Sequence, residues 1–118
     1  VRKWARLFDQ EVVVPMTMGF RAGAGRPMFA PRMSVVSPEA GVELSAMADE
    51  KWRLFDTHLG ASNHIALGRF TFADLLIFAF ANFGFTVGWK LPEGTENLAR
   101  FVETHNQRAC AAVWQEAE

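Results

Sequence analysis

The segment at residues 70–75 constrains the fold of this chain more than any other, because it predicts where an apolar helix begins. Thr71 is expected to cap this helix, and Asp74 to accept the backbone N–H of Thr71, which completes a capping box. Phe70 and Leu75 occupy the two positions of a hydrophobic staple around the box. Thr71 and Asp74 are therefore predicted to direct folding and to take no part in catalysis.

The helix that follows the box is apolar on every side and is predicted to extend to about Val87. Such a helix lies at the centre of a protein core or spans a membrane. The apolar stretch 75–89 is shorter than the ~20 residues that a bilayer requires, so no membrane segment is predicted. Phe78, Phe80 and Phe83 are expected to be buried. The prediction is an all-α, multi-helix bundle around one central buried helix.

Residues 2–22 place apolar side chains at helical spacing and predict a first helix that ends near residues 19–23. Pro15 is expected to kink this helix, because proline removes one backbone hydrogen bond. The β-branched run at residues 12–14 could instead begin a strand, but the helical periodicity fits the sequence better.

Residues 23–36 contain several prolines and glycines and therefore predict a connection. Its apolar side chains are expected to fold back on apolar surface: Met28, Phe29 and Met33. Ser37 is predicted to cap a second long helix that ends at Gly60. One face of that helix carries Leu44, Ala48, Trp52, Phe55 and Leu59. Two closing helices are predicted, one with Leu98, Phe101, Val102 and His105, and a last one with Cys110, Val113, Trp114 and Ala117.

Composition excludes several classes of function. The 118 residues are expected to form one domain, 1–118, and because the sequence opens with Val1 we interpret it as a piece of a longer protein. A formal net charge of −1 argues against a nucleic-acid binder, although residues 1–37 carry six basic and two acidic side chains. A single cysteine, Cys110, excludes an internal disulfide and any cysteine-rich metal site.

Motifs for catalysis and metal binding are missing from the sequence. There is no phosphate-binding glycine loop, no nucleophile elbow and no pair of histidines spaced i, i+4 on a helix. His58, His64 and His105 therefore predict no metal site, and no catalytic residue is predicted. Cys110 lies on an apolar stripe and is expected to pack as a small hydrophobic side chain.

The run from Gly68 to Leu75 resembles the capping box and staple of the central helix in the C-terminal domain of glutathione S-transferases. The surrounding chain is also similar to that family: residues 4–21 and 37–60 to its first two helices, and residues 97–101 and 108–113 to its closing helices. Two departures lie in the closing helices, where Phe101 replaces a common tryptophan and a proline is missing near Cys110.

The resemblance implies a function for the longer protein. A thioredoxin-like N-terminal domain would bind glutathione, the co-substrate, and the helical domain would bind hydrophobic electrophiles and contribute to a homodimer. By position, the residues expected to form the electrophile wall are Val13, Met16, Phe20 and Arg21, although core or dimer contacts explain them equally well. The domain alone is expected to bind no cofactor and to be inactive, and the longer protein to be cytoplasmic. The alternative is a non-enzymatic assembly domain of the same fold, as in translation-associated proteins.

Overall fold

A computed structural model describes residues 1–108 of the chain, and every regular element in that part is helical. The elements are α1 (Arg2–Phe8), a π-helical segment (Asp9–Val13), α2 (Val14–Ala22), α3 (Arg26–Phe29), α4 (Pro38–Leu59), α5 (Phe72–Thr86) and α6 (Glu96–His105). The predicted all-α class is confirmed. The predicted last helix, with Cys110, lies outside the described residues.

The first predicted helix is observed as three consecutive helical stretches that end at Ala22. The predicted irregularity at Pro15 takes the form of the π-helical segment, in which the N–H of Val14 donates to the carbonyl of Asp9, five residues back. Proline crowds the turn that precedes it and cannot donate a backbone hydrogen bond. The wider turn therefore lies where the helix has to accommodate Pro15, and the alternative of a strand is wrong.

The connection after α2 contains the short helix α3, and its apolar side chains differ in burial. Phe29 is half-buried and packs edge-on against Phe20, at 6.3 Å between ring centroids. Met28 and Met33 are 60% and 43% exposed. The expectation that all three side chains fold back is therefore confirmed for Phe29 and wrong for the two methionines.

Helix α4 begins and ends at the predicted residues. The hydroxyl of Ser37 accepts the N–H of Ala40 at 3.2 Å. Gly60 adopts a left-handed backbone with φ of +56° and donates its N–H to the carbonyl of Asp56, which is how many helices end. The predicted apolar face is buried at Ala48, Trp52, Phe55 and Leu59, and Leu44 is half-buried.

Helix α5 opens with the predicted capping box of Thr71 and Asp74. Its inner face is buried, and Phe78 is only 1% exposed. Phe80 is half-buried, and Phe83 is 51% exposed. Burial on every side is therefore corrected to burial of one face, because the described residues leave the side of α5 that carries Phe83 uncovered. Of the two staple positions, Phe70 packs on Phe78, and Leu75 is 38% exposed.

The described residues divide into two compact units, one of residues 6–52 and one of residues 1–5 with 53–108. In the first unit the rings of Phe8 and Trp52 meet edge-on at 5.1 Å. In the second unit Trp4 stacks on His58 at 3.7 Å, and the core contains Ile77, Phe78, Leu98 and Phe101. Among residues 1–108, no helix has the length and hydropathy needed to cross a membrane.

Candidate functional site

The four residues predicted to form an electrophile wall all lie in the first unit. Val13 closes the π-helical segment, and Met16, Phe20 and Arg21 follow along α2. All four side chains are half-buried, which leaves part of each available for contact. The structure brings Phe20 and Arg21 together around a residue that the sequence assigned only to the connection.

That residue is Phe29, at the end of α3. Its ring packs against Phe20 and lies 5.2 Å from the guanidinium carbon of Arg21, a cation–π distance. Gly25 lies directly against the Phe20 ring, because a Cβ on Gly25 would come within 2.5 Å of it. The Nε of Arg21 is buried and has no hydrogen-bond partner among the described residues. We call Phe20, Arg21 and Phe29 the aromatic–arginine cluster.

Arg26 holds the connection that carries Phe29. Its guanidinium donates hydrogen bonds to the carbonyls of Val36, at 3.1 Å, and Ala22, at 3.3 Å. The end of α2 and the segment just before α4 are therefore both bonded to the Arg26 side chain. The position of Phe29 beside α2 is consequently fixed by Arg26 as well as by ring packing.

A groove of about 470 Å³ lies on another side of α2 in the same unit. Its lining residues are Gln10, Glu11, Val14, Pro15, Met18, Leu44, Met47, Glu50 and Lys51. None of the four predicted wall residues lines this groove. Val14 and Met18, spaced i, i+4, are the sequence signal that could have indicated it.

In the second unit, side chains from α4 and α6 hold the loop between α4 and α5. The guanidinium of Arg100 donates to the carbonyls of Gly60, at 2.8 Å, and Ser62, at 2.6 Å. It also donates to the side-chain oxygen of Asn63 at 3.1 Å. The Nε2 of His58 bonds the carbonyl of Ile65 at 3.0 Å. These bonds satisfy backbone groups of a loop that forms no regular structure of its own.

Asp74 is the most buried acidic residue of this loop region, with 0% exposure. Its Oδ1 accepts the N–H of Ile65 at 2.7 Å, and its Oδ2 accepts the N–H of Thr71 at 2.9 Å. The Nδ1 of His64 lies 3.8 Å from the same Oδ2. Asp74 therefore begins α5 and also fixes the preceding loop, as expected of a residue that directs folding.

His105 ends α6 inside an aromatic environment, with Phe70 and Phe101 at centroid distances of 5.2 and 4.5 Å. Its Nδ1 accepts a hydrogen bond from the Nε of Arg108 at 2.9 Å, so its Nε2 carries the proton and donates to the carbonyl of Asn63 at 2.7 Å. Burial lowers the pKa of the His105 imidazole from its ordinary value, and the charge of Arg108 lowers it further. The hydrogen bond to Asn63 acts in the opposite direction.

Nitrogen and oxygen atoms of His64, Asp74 and His105 lie within 4.8 Å of one another. No sequence motif groups these three residues, because no two of them share a helix. The fold joins a loop residue, the first turn of α5 and the last residue of α6. His58, the third histidine, is outside this group.

Residues 28–109 match the family described as "Glutathione S-transferase, C-terminal domain". The matched range covers more than half of the chain and includes the end of α3 and all of α4, α5 and α6. Comparison with curated proteins and with solved structures found no significant match.

Proposed function

The chain belongs to the family of glutathione S-transferase C-terminal domains, and on that premise we propose that it forms the electrophile-binding half of a glutathione transferase. In the longer protein it pairs with a thioredoxin-like N-terminal domain, which binds glutathione and activates its thiol. The transferase attaches glutathione to hydrophobic electrophiles. The helical domain supplies binding and leaves bond formation to its partner.

The aromatic–arginine cluster is the observation that supports this proposal. Phe20 and Phe29 present aromatic surface, and Arg21 places a guanidinium against it with its Nε free of hydrogen bonds to the described residues. An aromatic electrophile that carries an electron-withdrawing or acidic group complements this cluster. Its apolar ring matches the two phenylalanines, and its negative edge matches the guanidinium of Arg21. Such a site binds by excluding water from the ring and pairing the polar group with Arg21.

The domain contributes to the reaction through position. A thiolate attacks an electrophile faster when both are held at contact distance, and apolar walls strengthen the attraction between them by excluding water. Val13 and Met16 extend the apolar surface of the first helices beside Phe20. We assign no catalytic residue to this chain, and glutathione is the co-substrate of the longer protein.

We also propose that the longer protein is a homodimer of the cytoplasm, where glutathione keeps thiols reduced. Exposed phenylalanines on α5 support a contact surface, since Phe72 is 61% and Phe83 is 51% exposed. Solution mass by light scattering tests this, and Phe83→Gln should shift the longer protein toward the monomer. Met28→Gln, at a side chain that is 60% exposed elsewhere, is the control.

Conjugation kinetics of the longer protein test the main proposal, with a chlorodinitrobenzene as the aromatic electrophile. We expect Phe20→Ala to raise the KM for the electrophile by about tenfold, because an aromatic contact of this size contributes about 1–2 kcal/mol. The KM for glutathione should be unchanged. Met28→Ala is the matched control and should leave both constants unchanged.

An assembly domain without glutathione chemistry is the second candidate, and the exposed phenylalanines of α5 favour it. The two candidates differ in one simple measurement. If the longer protein neither binds immobilised glutathione nor conjugates the electrophile, but still forms complexes that Phe83→Gln disrupts, the assembly role is correct.

A further inference from the structure

His64, Asp74 and His105 bring two imidazoles and one carboxylate to a single place in the second unit. Their ligand atoms lie within 4.8 Å of one another, and His64 Nδ1 is 3.8 Å from Asp74 Oδ2. A zinc ion holds such atoms at about 2.0–2.2 Å, which places neighbouring ligands roughly 3.4 Å apart in tetrahedral geometry. Side-chain movements of about 1 Å would therefore close the group around one ion.

The Nδ1 of His64 needs a partner that the described residues do not supply. This atom is buried, yet it makes no hydrogen bond with any described residue, and 3.8 Å to Asp74 is too long for one. Buried polar atoms without partners are rare in folded proteins, and a bound ion is one of their ordinary explanations. The rest of the His64 side chain is 26% exposed, which gives an ion a route to the site.

Asp74 keeps the capacity for one more ligand. A carboxylate offers about four lone-pair positions. Asp74 accepts hydrogen bonds from the N–H of Ile65, the N–H of Thr71 and, at 3.4 Å, the hydroxyl of Thr71. One position therefore remains on Oδ1, because Oδ2 accepts both bonds from Thr71. An ion bound through Oδ2, the oxygen 3.8 Å from His64 Nδ1, displaces the long bond from the Thr71 hydroxyl.

Arg108 controls whether His105 can serve as a ligand. With Nδ1 accepting from Arg108 and Nε2 donating to Asn63, neither nitrogen of His105 has a free lone pair. Binding through Nδ1 requires Arg108 to leave. Binding through Nε2 moves the proton to Nδ1, which then faces the N–H of Arg108 and again displaces it. Arg108 is an exposed side chain, so its guanidinium can turn into solvent when it leaves His105.

We propose that His64, Asp74 and His105 bind a divalent transition-metal ion of the zinc class, which displaces Arg108 from His105. Water completes the coordination. The donor set of two imidazoles and one carboxylate favours Zn²⁺ or Co²⁺ over Mg²⁺ and Ca²⁺, which prefer oxygen. The bound ion connects the loop before α5 to the first turn of α5 and to the last residue of α6.

Titration of the chain with Co²⁺ tests this proposal, because cobalt in a tetrahedral site absorbs visible light. The chain should carry Cys110→Ser, which removes the thiol as an alternative ligand. We expect a visible band that added Zn²⁺ abolishes. Substitution of a residue that only contacts the ligands weakens metal binding roughly 10–100-fold. His64→Ala removes a ligand itself and should weaken Co²⁺ binding by more than that. Glu96→Ala removes an exposed carboxylate of α6 outside the group and should leave binding unchanged.

Arg108→Ala gives the decisive comparison. It removes a hydrogen bond that competes with the metal, so Co²⁺ should bind about tenfold more tightly than to the parent chain. Circular dichroism should confirm that each variant is folded. The proposal is overturned if no variant binds Co²⁺, if His64→Ala and Glu96→Ala bind it equally, or if Arg108→Ala does not bind it more tightly.

Discussion

The carboxylate of Asp74 accepts the backbone N–H of Ile65 at 2.7 Å, across nine positions of the chain. The same carboxylate accepts the N–H of Thr71 at 2.9 Å. One buried side chain therefore satisfies two backbone donors, one in the loop and one at the beginning of α5. Asp74 is for this reason more than a helix cap, and its loss affects two elements together.

Asp74→Ala should lower the free energy of unfolding by about 2–4 kcal/mol, because the loop N–H is left buried without an acceptor in addition to the loss of the cap. Urea unfolding measures the change. Glu96→Ala is a matched control, since Glu96 is an exposed acid in the first turn of α6. Equal effects of the two substitutions would contradict the role of Asp74.

A second buried acid, Asp56 of α4, caps α6 from a distance. Its Oδ1 accepts the N–H of Leu98 at 2.8 Å, and the hydroxyl of Thr95, the residue before α6, donates instead to the carbonyl of Pro92. Asp56→Ala should cost about 1.5–3 kcal/mol, the contribution of a hydrogen bond to a charged group. Asn97→Ala removes two bonds of 3.3 Å to Asp56 and one of 3.1 Å from Arg100, but leaves the bond between Asp56 and Leu98 in place, and should cost clearly less.

His105 makes stability depend on pH. Burial lowers its pKa in the folded chain, with Arg108 and His64 acting in the same direction and Asp74 against it. Below pH ~6.5 the unfolded chain therefore binds a proton that the folded chain does not. This part of the stability is complete above pH ~6.5 and is lost as the pH falls toward the lower folded-state pKa.

Unfolding measured between pH 8 and pH 5, roughly the range in which histidine titrates, should show this loss in the presence of a chelator. His105→Gln should flatten the dependence, whatever its effect on stability at neutral pH. His58→Gln should retain it. A slope that is the same in the parent chain and in His105→Gln would assign the pH dependence to other groups.

Local signals explain why the helix ends were predictable. The capping hydrogen bonds at Ser37, Gly60 and Thr71 join groups no more than four residues apart, so their spacing carries the information. The bond from Ile65 to Asp74 spans nine positions and has no such local signal. The hydrogen bonds of Asp56 to Leu98 and of Arg100 to the loop before α5 join residues about 40 positions apart. Sequence periodicity contains no record of such pairs.

The electrophile wall shows the same limit. Val13, Met16, Phe20 and Arg21 share a helical face in sequence, and the structure does place them on consecutive turns. The partner of Phe20 and Arg21 is Phe29, however, and its position depends on how Arg26 folds the connection back. Spacing along one helix shows which side chains lie on the same face. Which residue packs against that face depends on the conformation of the following loop, which spacing does not predict.

Within the unit of residues 6–52, helices α2 and α4 approach each other closely at two glycines, Gly19 and Gly41. A Cβ on Gly41 would lie 2.6 Å from the Cβ of Ala22, and a Cβ on Gly19 would meet Ser45. Gly41→Ala should therefore destabilise the chain by about 1–3 kcal/mol through overpacking, although alanine is the better helix former.

The double variant Gly41→Ala with Ala22→Gly should recover much of that loss, because it transfers the methyl group from one helix to the other and restores the space between them. The interaction free energy from the double-mutant cycle, measured by urea unfolding, tests this directly. Additive effects of the two substitutions would show that Gly41 is required for a reason other than contact with Ala22.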